Sequence, residues 1–207
     1  MAERALILVD IQKDFMPDGP LPTRGGYEVV PVVKELVPRF ETVVATQDWH
    51  PPNHVSFASN HEGKEPFDRI EAPYGLTQVL WPDHCVQGSP GADFVSGLPM
   101  DRVQQVFRKG TDPDIDSYSG FFDNGHKKKT GLGDWLRDRG VSDVYVTGVA
   151  TDVCVKFTAL DARELGFETF VVEDATRGVE ENPGDVARAL EEMRQAGCRI
   201  VRAEDVA

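Results

Sequence analysis

Positive charge is scarce in this chain. Among its 207 residues, 22 lysines and arginines stand against 35 aspartates and glutamates, and the formal net charge is −13. Proteins that bind nucleic acids or anionic membranes need a surplus of basic residues to neutralise phosphate groups. The basic run Lys127-Lys128-Lys129 is too short for such a surface and is typical of a solvated loop. We therefore expect no nucleic-acid partner and no membrane partner.

Cysteines and long apolar runs are also scarce. The three cysteines, Cys85, Cys154 and Cys198, are widely spaced and form no CxxC motif, which is typical of a protein from a reducing compartment. The charge of Asp10 ends the first apolar run too early for a secretory signal. No stretch approaches the roughly 18 apolar residues of a membrane span. We therefore expect a soluble, cytoplasmic protein.

Six short apolar runs, rich in β-branched residues, predict strands. They cover residues 5–10, 42–47, 103–107, 144–148, 169–173 and 199–201. Most are continuous rather than alternating, which is typical of a parallel sheet buried on both faces. Apolar residues at helical spacing lie between the runs. The sets are Val29, Val32, Val33, Leu36 and Val37; Val153, Phe157 and Leu160; and Ala189, Leu190 and Met193. This alternation predicts a single α/β domain over residues 1–207, with a doubly wound, mainly parallel central sheet flanked by helices on both faces.

The segment from residue 48 to about residue 99 differs from the rest of the chain. It is dense in proline, glycine, asparagine, histidine and tryptophan and shows little periodicity. A loop of this length in a compact domain is usually functional. Because the segment also holds most of the histidines, we interpret it as a metal-binding loop region.

Chemically capable side chains follow several predicted strands. Asp10 ends the first, Lys109 follows the third and Cys154 follows the fourth. Ligands bind beyond the carboxyl ends of strands in open parallel sheets, so we expect the three side chains to meet at one edge. Thr151 or Asp152 is a candidate N-cap, which would place Cys154 in the first helical turn and lower its pKa. Asp10 would then accept the thiol proton and Lys109 would stabilise the charges. The plainer alternative is that Cys154 packs in the core as a small hydrophobe.

Asp48 and His50 stand two residues apart at the end of the second predicted strand, a spacing that directs both side chains to the same face of an extended segment. With His84, and with His54 as a further candidate, they suit one divalent ion, Zn²⁺ or Fe²⁺, with Mn²⁺ as another option. The alternative is a group of ordinary polar loop residues. Loop aromatics are candidates to line a pocket for a flat ligand. They are Phe15, Trp49, Trp81, Tyr118 and Phe121.

Four motifs give the chain a resemblance to a known family. They are Val9-Asp-Ile-Gln-Lys-Asp-Phe15, Thr46-Gln-Asp-Trp-His-Pro-Pro-Asn-His-Val-Ser-Phe57, Trp81-Pro-Asp-His-Cys-Val-Gln-Gly88 and Gly148-Val-Ala-Thr-Asp-Val-Cys-Val155. Together with Arg108-Lys-Gly110 and Tyr118-Ser-Gly-Phe121, they make the chain resemble the nicotinamidases (pyrazinamidases) of the isochorismatase-like cysteine hydrolases. The resemblance runs over most of the chain, from residue 5 to about residue 201.

The resemblance implies a role for each matched position. The implied catalytic triad is Asp10, Lys109 and Cys154. The implied metal ligands are Asp48, His50 and His84, with the position of His54 touching the metal in some relatives. The implied oxyanion hole consists of the Ala150 and Cys154 amides, with a cis peptide between Val149 and Ala150. The implied substrate pocket includes Phe15, Trp81 and Tyr118. The acidic insert over residues 111–116 departs from the family pattern, so the resemblance does not define the rim of the pocket.

The resemblance also implies an activity. It implies a metal-dependent cysteine amidohydrolase that converts nicotinamide to nicotinate and ammonia through a thioester in NAD salvage, and that also accepts pyrazinamide. Three alternatives are a related small-amide or carbamoyl hydrolase, an isochorismatase-type vinyl-ether hydrolase, and a non-catalytic binding module. Vinyl-ether hydrolysis needs neither a thiol nor a metal set, so Cys154 and the Asp48-Trp-His50 motif count against it. The sequence leaves both a monomer and a homo-oligomer open.

Overall fold

A parallel sheet of six strands forms the centre of the structure, a computed structural model that describes residues 3–207. Its strands are β1 (Glu3–Val9), β2 (Thr42–Asp48), β5 (Gln105–Lys109), β6 (Val141–Val149), β7 (Glu168–Arg177) and β8 (Arg199–Val201). They lie in the order β5-β2-β1-β6-β7-β8, and every neighbouring pair is parallel. A separate antiparallel hairpin joins β3 (Arg69–Ala72) to β4 (Leu76–Val79).

Helices cover both faces of the sheet. They are α1 (Val29–Leu36), α2 (Leu132–Arg137), α3 (Lys156–Glu164) and α4 (Asp185–Gln195). Successive strand residues point to opposite faces, so Leu6 and Leu8 of β1 share one apolar core with α1, whereas Ile7 and Val9 share the other with α2, α3 and α4. This arrangement confirms the predicted fold class. Within residues 3–207, no helix is long and apolar enough to cross a membrane.

The sheet reverses its winding beside β1. This strand pairs with β2 on one side and with β6 on the other. The chain runs from β1 to β2 and β5 on the first side, and then crosses to β6, β7 and β8 on the second. At such a point, the carboxyl ends of adjacent strands leave a crevice in which ligands bind. Asp10 follows β1 and Cys154 follows β6, so both lie at this crevice.

The structure differs from the sequence predictions in several places. The third predicted strand lies two residues later, at Gln105–Lys109, and β7 extends to Arg177. The aperiodic region from residue 48 to residue 99 contains the β3–β4 hairpin, whose four-residue strands are too short to show a pattern. Phe157 is 37% exposed rather than buried. The preceding turn, Thr151–Val155, is π-helical, and its wider turn shifts the helical phase on which the prediction relied.

Gly148 lies where β6 passes β1 too closely for a side chain. Its φ is +111°, and a Cβ there would lie 2.0 Å from the backbone oxygen of Val9. Gly148→Ala must therefore displace backbone atoms. We expect its free energy of unfolding, measured by urea denaturation, to fall by about 3 kcal/mol or more.

Gly140→Ala is the matched control for this prediction. Gly140 also has a left-handed φ, +71°, but no atom lies within 4 Å of the added Cβ. The free energy of unfolding of Gly140→Ala should fall by only about 1 kcal/mol, the usual conformational cost of replacing such a glycine. Equal losses in the two variants would contradict the assignment of the effect to the contact with Val9.

Candidate active site

Three side chains meet at the carboxyl edge of the sheet, each positioned by a strand end. Asp10 directly follows β1, Lys109 is the last residue of β5, and Cys154 lies in the π-helical turn after β6. The Nζ of Lys109 lies 2.9 Å from Asp10 Oδ2 and 3.5 Å from Cys154 Sγ. The structure therefore brings together a carboxylate, an ammonium group and a thiol that are distant in sequence.

Lys109 is the centre of this group. Its Nζ also donates hydrogen bonds to Asp48 Oδ1 at 2.6 Å and to the backbone oxygen of Ser117 at 2.8 Å. The side chains of Lys109 and Asp10 are fully buried. Burial alone would lower the pKa of Lys109, but the negative charges of Asp10 and Asp48 outweigh it and hold that pKa well above its usual value. The lysine therefore stays charged.

Asp10 is placed to accept a proton. The Thr46 hydroxyl donates a 2.6 Å hydrogen bond to Oδ1, whereas Oδ2 has an ion pair with Lys109 but no hydrogen-bond partner among the described residues. Burial raises the pKa of Asp10, against the opposing charge of Lys109. Single ligand atoms of Asp10, Asp48 and Cys154 lie within 4.8 Å of one another. A carboxylate with a raised pKa beside a thiol is suited to general-base chemistry.

The surroundings of Cys154 contradict two sequence predictions. Neither Thr151 nor Asp152 caps the turn, because Ala150 is the N-cap. Cys154 is the fourth residue of the turn. Burial raises the pKa of Cys154 well above its usual value, and Lys109 only partly offsets this. The predicted lowering of the pKa was wrong because removal from water penalises the thiolate more than nearby positive charge favours it. The thiol therefore needs a base.

Asp48, His50 and His84 form a second cluster beside the first. One ligand atom from each lies within 4.8 Å of the other two, and all three residues are buried. Asp48 Oδ2 lies 3.5 Å from His50 Nε2 and 4.0 Å from His84 Nε2. Burial alone would lower the pKa of His50, but the negative charge of Asp48 outweighs burial and raises it. Burial lowers the pKa of His84 to about 4, so this imidazole is neutral at pH 7.

Backbone carbonyls fix the orientation of both histidine rings. The Nδ1 of His50 lies 2.9 Å from the backbone oxygen of Gly110. The Nδ1 of His84 lies 2.7 Å from the backbone oxygen of Pro82. A carbonyl only accepts, so each Nδ1 carries the hydrogen and each neutral ring presents its Nε2 lone pair toward Asp48. Two imidazole nitrogens and a carboxylate oxygen directed at one point fit a divalent cation such as Zn²⁺ or Fe²⁺.

His54 lies beside this cluster and groups with different residues. Its ring lies 4.2 Å from that of His50, and its ligand atoms group with those of His50 and Asp116. The Nδ1 of His54 lies 2.7 Å from Ser56 Oγ, whereas its buried Nε2 has no hydrogen-bond partner among the described residues. Ligation by His54 stays a prediction. Asp116, the last residue of the acidic insert, is buried at the site, and sequence analysis did not single it out.

Two glutamines that sequence analysis also missed orient the site. The Gln12 carboxamide accepts a 2.8 Å hydrogen bond from the backbone N–H of Asp48 and donates a 2.9 Å hydrogen bond to the backbone oxygen of Asp48. The Gln78 carboxamide, on β4, donates to Asp116 Oδ2 at 3.0 Å and to the Tyr118 hydroxyl at 3.2 Å. Gln12 lies within the first sequence motif, which was the available signal, whereas no pattern marks Gln78.

A cavity with about 350 Å³ of empty space opens onto both clusters. Its aromatic and aliphatic lining consists of Phe15, Leu21, Trp81, Tyr118, Ala150, Val153 and Val179. The peptide bond between Val149 and Ala150 is cis, as the resemblance implies. Two of the candidate aromatics, Trp49 and Phe121, do not line this cavity. Trp49 packs against the guanidinium of Arg108, and Phe121 stacks on Phe167. The sequence did not predict Leu21, Val153 and Val179 as residues of the cavity wall.

Comparison with known proteins assigns the fold to a family. A family model described as the isochorismatase domain matches residues 4–205. The chain belongs to the isochorismatase domain family. A curated member, the nicotinamidase of Escherichia coli (strain K12), is 48% identical over 209 residues, which cover 99% of this chain and 97% of that protein.

Two solved structures extend this likeness to three dimensions. A nicotinamidase/pyrazinamidase from Acinetobacter baumanii is 45% identical with a TM-score of 0.95, over 100% of this chain and 99% of that chain. A pyrazinamidase of Pyrococcus horikoshii in complex with zinc is 44% identical with a TM-score of 0.78, over 97% of this chain and 99% of that chain. The likeness therefore spans nearly the whole of each protein.

The ligand cluster predicts a binding site for a divalent cation, which zinc can probe. His84→Ala removes one of three converging ligand atoms, so we expect zinc affinity, measured by competition with a chelating dye, to fall by more than about 100-fold. His61→Ala is the control, because the Nε2 of His61 lies 2.8 Å from the backbone oxygen of Val55 and His61 is not part of the ligand cluster. Equal zinc affinity in the His84 variant and the unmodified protein would contradict the assignment.

Proposed function

We propose that the chain hydrolyses nicotinamide to nicotinate and ammonia, and that it accepts pyrazinamide as well. The observation that carries this proposal is the contact of Lys109 with both Asp10 and Cys154, in a buried crevice beside a cavity with aromatic and aliphatic walls. The nicotinamidase of Escherichia coli and the nicotinamidase/pyrazinamidase of Acinetobacter baumanii support it, because both resemble this chain along its length.

The first half of the proposed reaction forms a thioester. Asp10 takes the proton of Cys154, and the sulfur attacks the carboxamide carbon of the substrate. The developing oxyanion receives hydrogen bonds from the backbone N–H groups of Ala150 and Cys154. Asp10 then returns the proton to the departing nitrogen, the C–N bond breaks, and ammonia leaves while the acyl group stays on sulfur.

The second half returns the enzyme to its starting state. Asp10 takes a proton from a water molecule, whose oxygen attacks the thioester carbon. The C–S bond breaks, the Asp10 proton returns to the Cys154 sulfur, and the acid leaves and loses its remaining proton to water as nicotinate. Lys109 keeps a full positive charge beside Asp10 and the sulfur throughout, which stabilises each anionic stage in the buried crevice.

Binding of the substrate ring is assigned to both the cavity wall and the second cluster. Phe15, Trp81 and Tyr118 offer aromatic surface for a pyridine or pyrazine ring. Asp48, His50 and His84 would hold a divalent ion, with zinc as the first choice because the Pyrococcus horikoshii pyrazinamidase was solved with zinc. Such an ion would supply a coordination site for a ring nitrogen and so fix the ring.

The proposal also assigns a place in the cell. Hydrolysis of nicotinamide returns the pyridine ring as nicotinate, which suits NAD salvage in the cytoplasm. The three cysteines are all free and buried, in keeping with a reducing compartment. Both a monomer and a homo-oligomer remain compatible with the proposal.

Ammonia release tests the proposed substrate class. Purified protein loaded with zinc should release ammonia from nicotinamide and pyrazinamide in a coupled glutamate dehydrogenase assay, and much more slowly from aliphatic amides and carbamoyl compounds. Chelation should remove this activity and added zinc should restore it. A preference for carbamoyl compounds would instead favour a related hydrolase, and no release from any amide would contradict the proposal.

Cys154→Ala tests the nucleophile. Without sulfur no thioester forms, so we expect kcat to fall by more than about 10⁴-fold. Nicotinamide binding, measured by calorimetry, should persist because the aromatic lining and the Asp48, His50 and His84 cluster are unchanged. Cys198→Ala is the matched control, since Cys198 is also free and buried and burial raises its pKa to about 11. Near-normal ammonia release from the Cys154 variant would refute the mechanism.

A further inference from the structure

Three side chains are shared by the cavity and a neighbouring outer cleft, and we call this boundary the mouth of the cavity. Trp81, Val153 and Val179 line both the inner cavity, next to Cys154, and an outer cleft. They therefore stand between the outer cleft and the thiol. Val179 lies beyond the end of β7, so the sheet does not fix its position directly.

The carboxylate of Asp152 holds the segment that carries Val179. Its Oδ1 accepts a 3.0 Å hydrogen bond from the backbone N–H of Val179, and its Oδ2 accepts a 2.7 Å bond from that of Glu180. Bonds to a charged acceptor are stronger than those between neutral groups. Asp152 lies two residues before Cys154 in the π-helical turn. One carboxylate therefore ties the turn that carries the thiol to the mouth of the cavity.

The backbone on either side of Val179 fits this carboxylate closely. A Cβ at Gly178 would lie 2.9 Å from Asp152 Oδ1 and 2.3 Å from a methyl group of Val186, so this approach requires glycine. Glu180 has a φ of +53°, a left-handed conformation that residues other than glycine rarely adopt. The hydrogen bond from its N–H to Asp152 helps to hold that conformation.

We propose that Asp152 is a positioning residue that holds Val179 at the mouth of the cavity and thereby limits the size of the molecules that reach Cys154. This inference rests on the amidase function proposed above. Asp152 lines the outer cleft and not the inner cavity, so it acts through Val179 and not by contact with the reacting amide.

Steady-state kinetics with nicotinamide give the first test. Asp152→Ala removes both acceptors and frees the Val179 segment, so we expect KM to rise about tenfold while kcat stays within about threefold. Val179→Ala should have a similar effect. If both residues act through one contact, the double variant should show no larger KM than the more affected single variant. Asp152→Asn keeps one carbonyl acceptor, and its KM should lie between those of Asp152→Ala and the unmodified protein.

Labelling of the thiol tests the same inference without turnover. Cys154 is alkylated with iodoacetamide, which is small, or with N-phenylmaleimide, which is bulky, and its modification is followed by peptide mass spectrometry. We expect Asp152→Ala and Val179→Ala to raise the rate with the bulky reagent, relative to the small one, by about tenfold. Because this ratio needs no amidase activity, the inference stays testable if the unmodified protein releases no ammonia and the proposed function fails.

Asp174→Ala is the matched control. Asp174 also accepts a hydrogen bond from a distant backbone N–H, that of Ala203 at 2.9 Å, but it does not line the cavity. Its loss should leave KM and the labelling ratio unchanged. The inference is overturned if Asp152→Ala lowers the thermal midpoint but leaves both readouts at their normal values. It is also overturned if the KM effects of the two single variants multiply in the double variant. Should Asp152→Ala not fold, Asp152→Asn and Val179→Ala carry the test.

Discussion

The buried ammonium group of Lys109 is the interaction on which the site depends. Asp10 and Asp48 are both removed from water at the edge of the sheet, and two such carboxylates repel each other. One lysine lies within 3 Å of an oxygen of each, which offsets both charges at once. Because the three residues end three neighbouring strands, the same contact also ties together the carboxyl ends of β1, β2 and β5. Electrostatic balance and strand geometry are therefore set by one side chain.

Much of the fold and of the site could be predicted from the sequence because each depends on a local pattern. Continuous apolar runs mark strands buried on both faces, and all six such runs became strands of the central sheet. Parallel strands place their carboxyl ends at one edge, so the meeting of Asp10, Lys109 and Cys154 followed from their places after those runs. The convergence of Asp48, His50 and His84 rested on a short spacing and on resemblance, and the structure places their ligand atoms together.

Other features depend on contacts that no local pattern encodes. Gln78 reaches Asp116 and Tyr118 from a hairpin whose strands are too short to show alternation. The pKa of Cys154 depends on how completely the surrounding loops exclude water, and burial raises it, whereas position in the chain alone indicates a lowering. The exposure of Phe157 follows from a π-helical turn, which changes the helical phase without any sequence mark. Each of these outcomes was decided by tertiary packing.

The adjacency of Lys109 and Gly110 has a consequence for how such a site changes over evolutionary time. The side chain of Lys109 contacts the thiol and both carboxylates, while the carbonyl of the next residue orients the His50 ring. A Cβ at Gly110 would lie 2.3 Å from that ring, so even a small substitution there disturbs the histidine. Any drift in the end of β5 moves both centres together. A mutation at the end of β5 that disturbs the ligand cluster is therefore expected to disturb the surroundings of the thiol as well.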